Sequence, residues 1–409
     1  MQHSADSMFI LADDLSGAAD CAIGAAKAGL KSVVVFDGAP RVQAQVLAVD
    51  ADSRHVAPAL ARAINAALWL SGAAPRCLFY KKIDSTLRGN FAAEMTALTG
   101  AGVAIVAPAF PATGRTTRNA RVLIDGVALE RTEIWANEGM TGEADVVAML
   151  SAQGLAACSV GLPMVRGDLR AELARRVAGA RVQAIVCDAE TDADLAAVAA
   201  ASVGLPVYWV GSAGLAAHLP RAAGIEGHAE SPGLVVAGPI LTVVGSLSAL
   251  SREQARTLET QADIASIVAA PQVLRTGEAH PMWQPLRESV AMTLGAGRDV
   301  MIRTGREEHN DLAHGRAICE SMARLLAPLM AGVGALVATG GETARALLSA
   351  SGVHGLQVLR EIESGVPLSV TLGPRPIPVV TKAGAFGSPA ALLDAYHVLA
   401  GIRRRGRGA

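Results

Sequence analysis

Residues 77–90 of the chain read CLFYKKIDSTLRGN, and the change from apolar to polar residues within this stretch indicates the fold. The apolar run from Cys77 to Tyr80 predicts a buried strand. The polar decamer that follows predicts a loop leading into a helix that starts near Asn90. Open α/β sheets bind ligands beyond the carboxyl ends of their strands. The stretch therefore predicts an α/β sheet with a binding site at this edge.

The same residues predict which lysine faces a ligand. If the strand continues to Asp84, side chains alternate between its two faces, so Lys82 and Asp84 share one face while Lys81 lies on the other. Lys82 is therefore the expected binding lysine, with Asp84 and Ser85 beside it. The alternative is an ordinary polar loop in which Asn90 is the N-cap of the helix.

The chain as a whole predicts two α/β domains. Its 409 residues are 51% hydrophobic and only 3% aromatic, and short apolar runs alternate with alanine-rich stretches from end to end. That alternation is typical of parallel sheets. Glycine and proline are concentrated in residues 220–239, which predicts a linker. We expect two parallel-sheet domains, at 1–230 and 240–409, that meet at an active-site cleft, with antiparallel strands at 357–362 and 368–372 in the second.

Charge and cysteine content narrow the class of partner. Lysine and arginine number 36 and aspartate and glutamate 37, so the balance favours neither nucleic acid nor an anionic membrane. Five widely spaced cysteines without a CxxC pair predict reduced thiols, and no histidine falls in a metal-binding pattern. With no leader-like or membrane-spanning run, we expect a soluble cytoplasmic protein with small-molecule partners. Homo-oligomerisation is left open, and the basic run 403–407 is expected to be a frayed, solvated end.

Two further polar clusters follow predicted strands in the first half. Asp13 and Asp14 end the run MFILADD, and alternation would send them to opposite faces, one toward a ligand and one to cap the next helix. Arg54 follows a short run at 46–49, and a guanidinium is suited to two hydrogen bonds with a carboxylate. The alternatives are capping or surface acids and a surface arginine. Residues 107–117, with Arg115, predict a rigid loop that braces or contacts the ligand.

The second half offers a phosphate site without a GxxxxGK[ST] loop. Three turns follow predicted strands there, and glycines and helix N-termini of this kind present free N–H groups to an anion. Glu342 is placed to help hold a cation or to serve as a first-turn acid. Lys382 is placed to face phosphoryl charge or to be a lysine at the edge of the core. The candidate residues in the three turns are Ser246, Ser248, Gly340, Gly341, Glu342, Thr343, Lys382 and Gly384.

Together these stretches resemble the four-carbon acid sugar kinases. That family carries a K-x-D-S-T-L-R-G-N element, matched from Lys82 to Asn90, and an A-D-D-L-T-G element, in which Ser16 replaces the threonine here. Its P-A-x-P-x-x-G-R-T-T stretch and its G-S, T-G-G-[DE]-T and K-x-G-x-F-G turns are matched as well, so the resemblance runs from residue 10 to about 388. The D-P pair that the family tends to carry downstream of GRTT is absent between residues 131 and 145.

The resemblance implies an ATP-dependent kinase that phosphorylates the terminal hydroxyl of a four-carbon sugar acid. The first domain would bind the acid and the second Mg²⁺ and ATP, with Glu342 as the metal ligand. The base would be one of three aspartates, with Asp14 and Asp84 our catalytic candidates beside Asp13. The implied substrate-binding residues are Asp13, Asp14, Arg54, Lys82, Asp84 and Ser85.

Three alternatives differ in substrate or class. D-threonate is the expected substrate, but D-erythronate and 3-oxo-tetronate differ from it by one stereocentre or one oxidation step. A non-catalytic sensor of nucleotide or organic acid would bind without releasing ADP. A dinucleotide oxidoreductase is disfavoured because no GxGxxG turn follows the first strand.

Overall fold

The computed structural model describes residues 5–36, 42–72, 74, 76–227, 232–246, 248–305, 315–384 and 386–407. The chain divides into two compact units. Unit 1 comprises Met1–Val34 and Arg41–Ala229, and unit 2 comprises Val35–Pro40 and Glu230–Ala409. The α/β class predicted from the sequence is confirmed. Leu247 and Ala385, which belong to two of the predicted phosphate turns, lie outside the described residues.

Unit 1 alternates strands and helices along most of its length. Its elements are β1 Ser7–Ala12, α1 Leu15–Lys27, β2 Ser32–Val35, β3 Val46–Asp50, α2 Pro58–Gly72, β4 Cys77–Lys82, α3 Phe91–Thr96, β5 Val103–Ala107, β6 Arg115–Arg118, β7 Arg121–Ile124, β8 Val127–Ala128, α4 Glu133–Asn137, α5 Val146–Ala152, β9 Ala157–Val160, α6 Leu162–Val165, α7 Leu169–Ala178, β10 Ala184–Cys187, α8 Asp192–Ser202, β11 Val207–Gly211 and α9 Ala213–Ala222.

The main sheet of unit 1 brings sequence-distant strands side by side. Its order is β2-β3-β1-β4-β11-β5-β10-β9, and the pairings from β3 to β9 are parallel. β1 lies between β3 and β4, with Ala12 opposite both Asp50 and Lys82. The polar residues that follow these three strands therefore emerge at one edge of the sheet.

Strands β6, β7 and β8 form a separate antiparallel sheet. The sequence predicted a loop over residues 107–117, and that prediction was wrong for residues 115–117, which belong to the first strand of this sheet, Arg115–Arg118. Short polar strands of this kind have no continuous apolar run to mark them, because their stability comes from cross-strand pairing. The sheet matters for the site because Arg115 begins it.

Unit 2 also alternates strands and helices along its length. Its elements are β12 Ile240–Val244, α10 Ala249–Gln261, β13 Ala265–Ala269, α11 Pro271–Thr276, α12 Trp283–Gly295, β14 Val300–Thr304, α13 Gly315–Leu326, β15 Ala335–Thr339, α14 Gly341–Ala350, β16 Gly355–Glu363, β17 Val366–Thr371, β18 Pro378–Lys382 and α15 Ala391–Arg407. The order is β13-β14-β12-β15-β18-β17-β16. The pairs β16–β17 and β17–β18 are antiparallel, as expected, and the others are parallel.

Each unit has its own apolar core. In unit 1, side chains from β4, α3 and β5 pack with those of β10 and β11, and Leu87 and Phe91 connect the polar decamer to this core. In unit 2, β12, β15 and β17 pack against α10 and α15. Several helices begin at a capping side chain that accepts a hydrogen bond from the first turn: Asp14, Asp145, Asp168, Thr191, Ser212 and Ser248.

The basic C-terminal run was predicted to be frayed, and that prediction was wrong, because the run is helical. It continues α15, and Arg403 Nη1 and Nη2 donate to the two carboxylate oxygens of the buried Asp299 at 2.6 and 2.8 Å. The sequence could not show this pair, because Asp299 precedes β14, about a hundred residues earlier. Separately, none of the described helices is long and apolar enough to cross a membrane.

Candidate active site

A single guanidinium holds both aspartates at the end of β1. Arg54 donates from Nε and Nη2 to Asp13 at 2.7 and 3.0 Å, and from Nη1 and Nη2 to Asp14 at 2.7 and 2.8 Å. The expectation that alternation would separate the two carboxylates was wrong, because β1 ends at Ala12 and both lie beyond the pleated strand. Four of the five N–H groups of Arg54 are engaged, and among the described residues the second Nη1 hydrogen has no acceptor.

The two aspartates differ in exposure. The side chain of Asp13 is 3% exposed and that of Asp14 is 24% exposed. Burial alone would raise the pKa of Asp13, but the charge and hydrogen bonds of Arg54 outweigh burial and lower it. Asp14 caps α1 as one of the pair was expected to, since its Oδ1 accepts from Gly17 N at 2.8 Å. Asp14 is thus the more accessible of two ion-paired carboxylates.

The two lysines of the decamer lie in different surroundings, as predicted. Lys82 faces Asp13 and Asp14; burial would lower its pKa, but these carboxylates raise it. Its Nζ donates to the Ile83 carbonyl at 2.8 Å. Lys81 is fully buried on the other side, with Nζ 2.9 Å from Glu94 Oε2.

Asp84 is held by its own loop. Arg88 donates to its carboxylate from Nε at 2.6 Å and from Nη2 at 3.2 Å, and the Thr86 hydroxyl donates as well. Burial opposes ionisation, but the guanidinium groups of Arg54 and Arg88 hold the pKa of Asp84 well below its usual range. Asp84 is therefore ionised and a weak base. Ser85, the next residue, is buried.

Arg115 adds another cation near Asp84. It is the first residue of β6 and follows Gly114, whose backbone is in the left-handed region with a φ of 72°. Burial lowers the pKa of its guanidinium, and the charge of Asp84 opposes this effect. This edge of unit 1 therefore combines carboxylates that accept hydroxyl hydrogens with cations that attract an anion.

Sequence reasoning assigned no ligand role to several residues at this edge. Arg88 has a detectable signal, since it lies four residues after Asp84 in one loop. Glu94 lies in the buried part of a short helix and is recognisable only from its partner. The alternative of an ordinary loop made Asn90 the cap of α3, but its side chain makes no capping hydrogen bond.

In unit 2 the three predicted phosphate turns lie together. Val244, Thr339 and Lys382 are in register at the ends of β12, β15 and β18. Gly340 N donates to Lys382 O at 2.8 Å, and Ser248 Oγ donates to Gly384 O at 2.8 Å. All eight candidate residues of this half therefore belong to adjoining turns at one sheet edge.

Two glycines in these turns lie so close to neighbouring side chains that any larger residue would clash with them. A Cβ added to Gly384 would overlap Ser246 Oγ, and one added to Gly245 would overlap the Thr343 side chain. Gly340, with a φ of 90°, begins α14 without a side-chain cap. Gly341, Glu342 and Thr343 thus form a first turn whose N–H groups are not capped by Gly340, an arrangement suited to nucleotide phosphates.

Lys382 holds the third turn, which follows β18, through hydrogen bonds to its backbone carbonyls. Its Nζ donates to the carbonyls of Ala383, Gly384 and Phe386 at 2.9, 3.2 and 2.9 Å. These bonds use all three of its hydrogens. Burial lowers the pKa of Lys382 to about 8, with the charge of Glu363 opposing.

The residues present fit a nucleotide better than a preformed metal cage. Among the described residues, no group of three or more His, Cys, Asp or Glu side chains could hold a metal ion. Glu342 is exposed in the first turn of α14. One carboxylate together with phosphate oxygens is a usual ligand set for Mg²⁺, and Glu342 is in a position to provide that carboxylate.

Comparison with known proteins matches the two halves separately. The profile of a sugar-binding N-terminal domain matches residues 8–219, and that of a nucleotide-binding C-terminal domain matches residues 241–392. A D-threonate kinase of Cupriavidus necator is 48% identical, covering 96% of this chain and 98% of its own length. A D-threonate kinase of Bordetella bronchiseptica is 35% identical, covering 95% and 96%.

More distant relatives differ in the named substrate. A 3-oxo-tetronate kinase of Burkholderia multivorans is 30% identical, covering 92% of this chain and 94% of its own length. Among solved structures, a Salmonella typhimurium protein described as a putative tRNA synthase shares the fold. It has a TM-score of 0.81, 21% identity and coverage of 95% and 98%.

Proposed function

The chain belongs to the four-carbon acid sugar kinase family, and on that premise we propose that it transfers the terminal phosphoryl group of ATP to the 4-hydroxyl of D-threonate. The observation that supports D-threonate as the substrate is the 48% identity to a D-threonate kinase across nearly the full length of both chains. The polar edge of unit 1 supports it. Hydroxyl groups need acceptors and a carboxylate needs cations, and both kinds of group lie there.

Asp14 is the residue we assign as the base. It accepts the proton of the attacking hydroxyl as the phosphoryl group is transferred. Asp13 and Asp84 are the more buried aspartates, with side chains 3% and 12% exposed against 24% for Asp14. Asp14 combines accessibility with a charge kept in place by Arg54. Asp13 and Asp84 then serve as fixed charges that orient the cations around the substrate.

The acid group of the substrate is bound by the cations of the same edge. Arg54 keeps one Nη1 hydrogen for it, because its other four are donated to Asp13 and Asp14. Lys82 contributes its positive charge, and the buried Ser85 a hydroxyl. The role first predicted for Arg54 alone is therefore shared: it mainly orders the aspartates, and Lys82 supplies more of the charge that attracts the anion.

Unit 2 binds the nucleotide. The uncapped first turn of α14 and the turns that contain Ser246 and Gly384 hold phosphate oxygens through backbone N–H groups and hydroxyls. Lys382 keeps its turn in shape through three carbonyls. Mg²⁺, held by Glu342 and phosphate oxygens, would neutralise charge on the transferred group.

The second candidate substrate is 3-oxo-tetronate. The relatives that carry this name are less similar, at 30% identity for the Burkholderia multivorans protein. 3-Oxo-tetronate and D-erythronate each differ from D-threonate at one carbon, so a few side chains decide between the three acids.

The proposal is tested by measuring ADP release with Mg²⁺ and ATP against D-threonate, D-erythronate and 3-oxo-tetronate, with glycerate as a control. Turnover that is greatest with D-threonate is the expected result. Greatest turnover with another of the three acids would move the substrate and keep the kinase. Binding of ATP and acid without ADP release would indicate a sensor and reject the kinase.

A further inference from the structure

Asn90 lies at the start of α3 but does not cap that helix. Its Nδ2 instead donates to the carbonyls of Ser53, Arg54 and Val56 at 3.0, 3.4 and 2.8 Å. All three partners are carbonyl oxygens, so the amide nitrogen must be the atom that faces them. Asparagine is a strong capping residue, and here its side chain is used to hold the loop that carries Arg54.

A buried ion pair holds the same loop through Ser53. Lys81 Nζ lies 2.9 Å from Glu94 Oε2, and both side chains are fully buried. The other oxygen of Glu94 accepts from Ser53 Oγ at 2.5 Å, and Asn65 Nδ2 donates to the same hydroxyl at 3.3 Å. A buried charge that loses its partner is strongly destabilising. Any movement that separates Lys81 from Glu94 is therefore unfavourable, and the network holds Ser53 in place.

The loop is also fixed on its third side, against Asp13 itself. Ser53 N and Arg54 N both donate to the Asp13 carbonyl, at 3.0 and 3.3 Å. Gly89, with a φ of 85°, lies against Arg54, and a Cβ there would be 3.2 Å from Arg54 Cγ. The residue pair Gly89–Asn90 therefore contacts both the side chain and the backbone of Arg54.

We propose that Asn90 is a positioning residue which, with the buried Lys81–Glu94–Ser53 network, holds the Arg54 guanidinium against Asp13 and Asp14 and thereby orders the sugar-acid site. The inference rests on the proposed function for its substrate. Asn90 touches no reacting atom. It acts by keeping the loop from moving, because a guanidinium that drifts releases two carboxylates at once, and misplacement of about 1 Å is enough to disturb catalysis.

The test uses the isosteric variant Asn90→Asp, which keeps the shape and removes the donor, and Ser53→Ala, which removes the link to Glu94. Calorimetric titration should show D-threonate binding weakened by about tenfold or more in each variant, because the partly buried hydrogen bonds of Asn90 or the buried one of Ser53 no longer hold the loop. ATP binding should stay within about twofold, because these residues belong to unit 1.

The matched control is Ser202→Ala. Ser202 is a buried serine of unit 1 that accepts from Trp209 Nε1 at 2.8 Å, in a hydrogen bond that does not involve the Arg54 loop. Ser202→Ala should lower the melting temperature without changing D-threonate affinity. If Asn90→Asp behaves in the same way, its role is merely structural and the inference is wrong.

A second readout needs no substrate. The Nε–H of Arg54, held by Asp13, should give a slowly exchanging ¹⁵N NMR signal, identified by its loss in Arg54→Lys. The signal should be lost or exchange faster in Asn90→Asp and in Ser53→Ala, and should persist in Ser202→Ala. Persistence in both positioning variants would overturn the inference. Failure of the wild-type protein to bind any of the acids would instead reject the proposed function and leave this signal as the deciding measurement.

Discussion

At the scale of the residue, Asp14 combines two functions that are separable by mutation. It caps α1 through Gly17 N, and it is the more exposed of the two carboxylates on Arg54. Asparagine also caps helices well. Replacing the carboxylate by an amide therefore removes the base and leaves the cap.

We predict that Asp14→Asn lowers kcat for D-threonate by about a hundredfold or more, the usual range for loss of a general base. ATP affinity should change little, and the melting temperature should fall only modestly, because Arg54 loses one of its two carboxylate partners and keeps Asp13. Asp168→Asn is the matched control, because Asp168 caps α7 through Ala171 N at 3.2 Å and lies outside the site. Wild-type kcat in Asp14→Asn would reassign the base.

The faces occupied by Lys81 and Lys82 could be predicted from the sequence, but the partner of Lys81 could not. Alternation along β4 separated Lys81 from Lys82 correctly, because both lie within the strand. The partner of Lys81 could not be predicted, since Glu94 reaches it only after α3 packs back on the strand.

At the scale of the element, strand ends decide where side chains point. β1 ends at Ala12 and β4 at Lys82, so neither strand reaches the aspartates that follow it. Asp13, Asp14 and Asp84 are thus loop residues that alternation does not govern. The turns of unit 2 were predicted better, because glycine at a strand end is a direct signal of backbone geometry.

We predict that Gly384→Ala raises the KM for ATP by about tenfold or more. The added methyl would overlap Ser246 Oγ and force apart two of the three turns. D-threonate affinity, measured by calorimetry, should be unchanged. Gly295→Ala is the control, since a Cβ there meets nothing within 4 Å. An unchanged KM in Gly384→Ala would exclude this cradle from the nucleotide site.

At the scale of the whole molecule, the ionised carboxylates of unit 1 make stability depend on pH. The pKa values of Asp13 and Asp84 are both lowered below the reference value of 3.8, by Arg54 and, for Asp84, also by Arg88, against the effect of burial. The unfolded chain therefore binds more protons than the folded one in the acid range. The stability contributed by these groups is complete above about pH 5 and is lost progressively as pH falls through 3.8 and below.

We predict that the free energy of unfolding, measured by urea denaturation in steps from pH 6 to pH 3, falls most steeply below about pH 4. Asp84→Asn should be less stable than the wild type at pH 6 and should show a shallower fall, because one of the carboxylates that must be protonated is gone. Equal slopes in the two proteins would mean that Asp84 contributes nothing to this dependence.

The sequence alone determined the α/β class, the antiparallel strands of unit 2 and the three glycine-containing turns that follow its strands. Each of these depends on residues close together in the chain, through apolar periodicity, breakers or glycine geometry. The match to the kinase family likewise depends on short local motifs.

Only the tertiary structure decided which charged groups meet. Arg54 reaches Asp13 and Asp14, and Asn90 reaches the Arg54 loop, because β1 lies between β3 and β4 in the sheet. Strand order is set by long-range packing, and no local pattern encodes it. For the same reason Arg403 could not be matched to Asp299, or Lys81 to Glu94, until the folded chain brought each pair into contact.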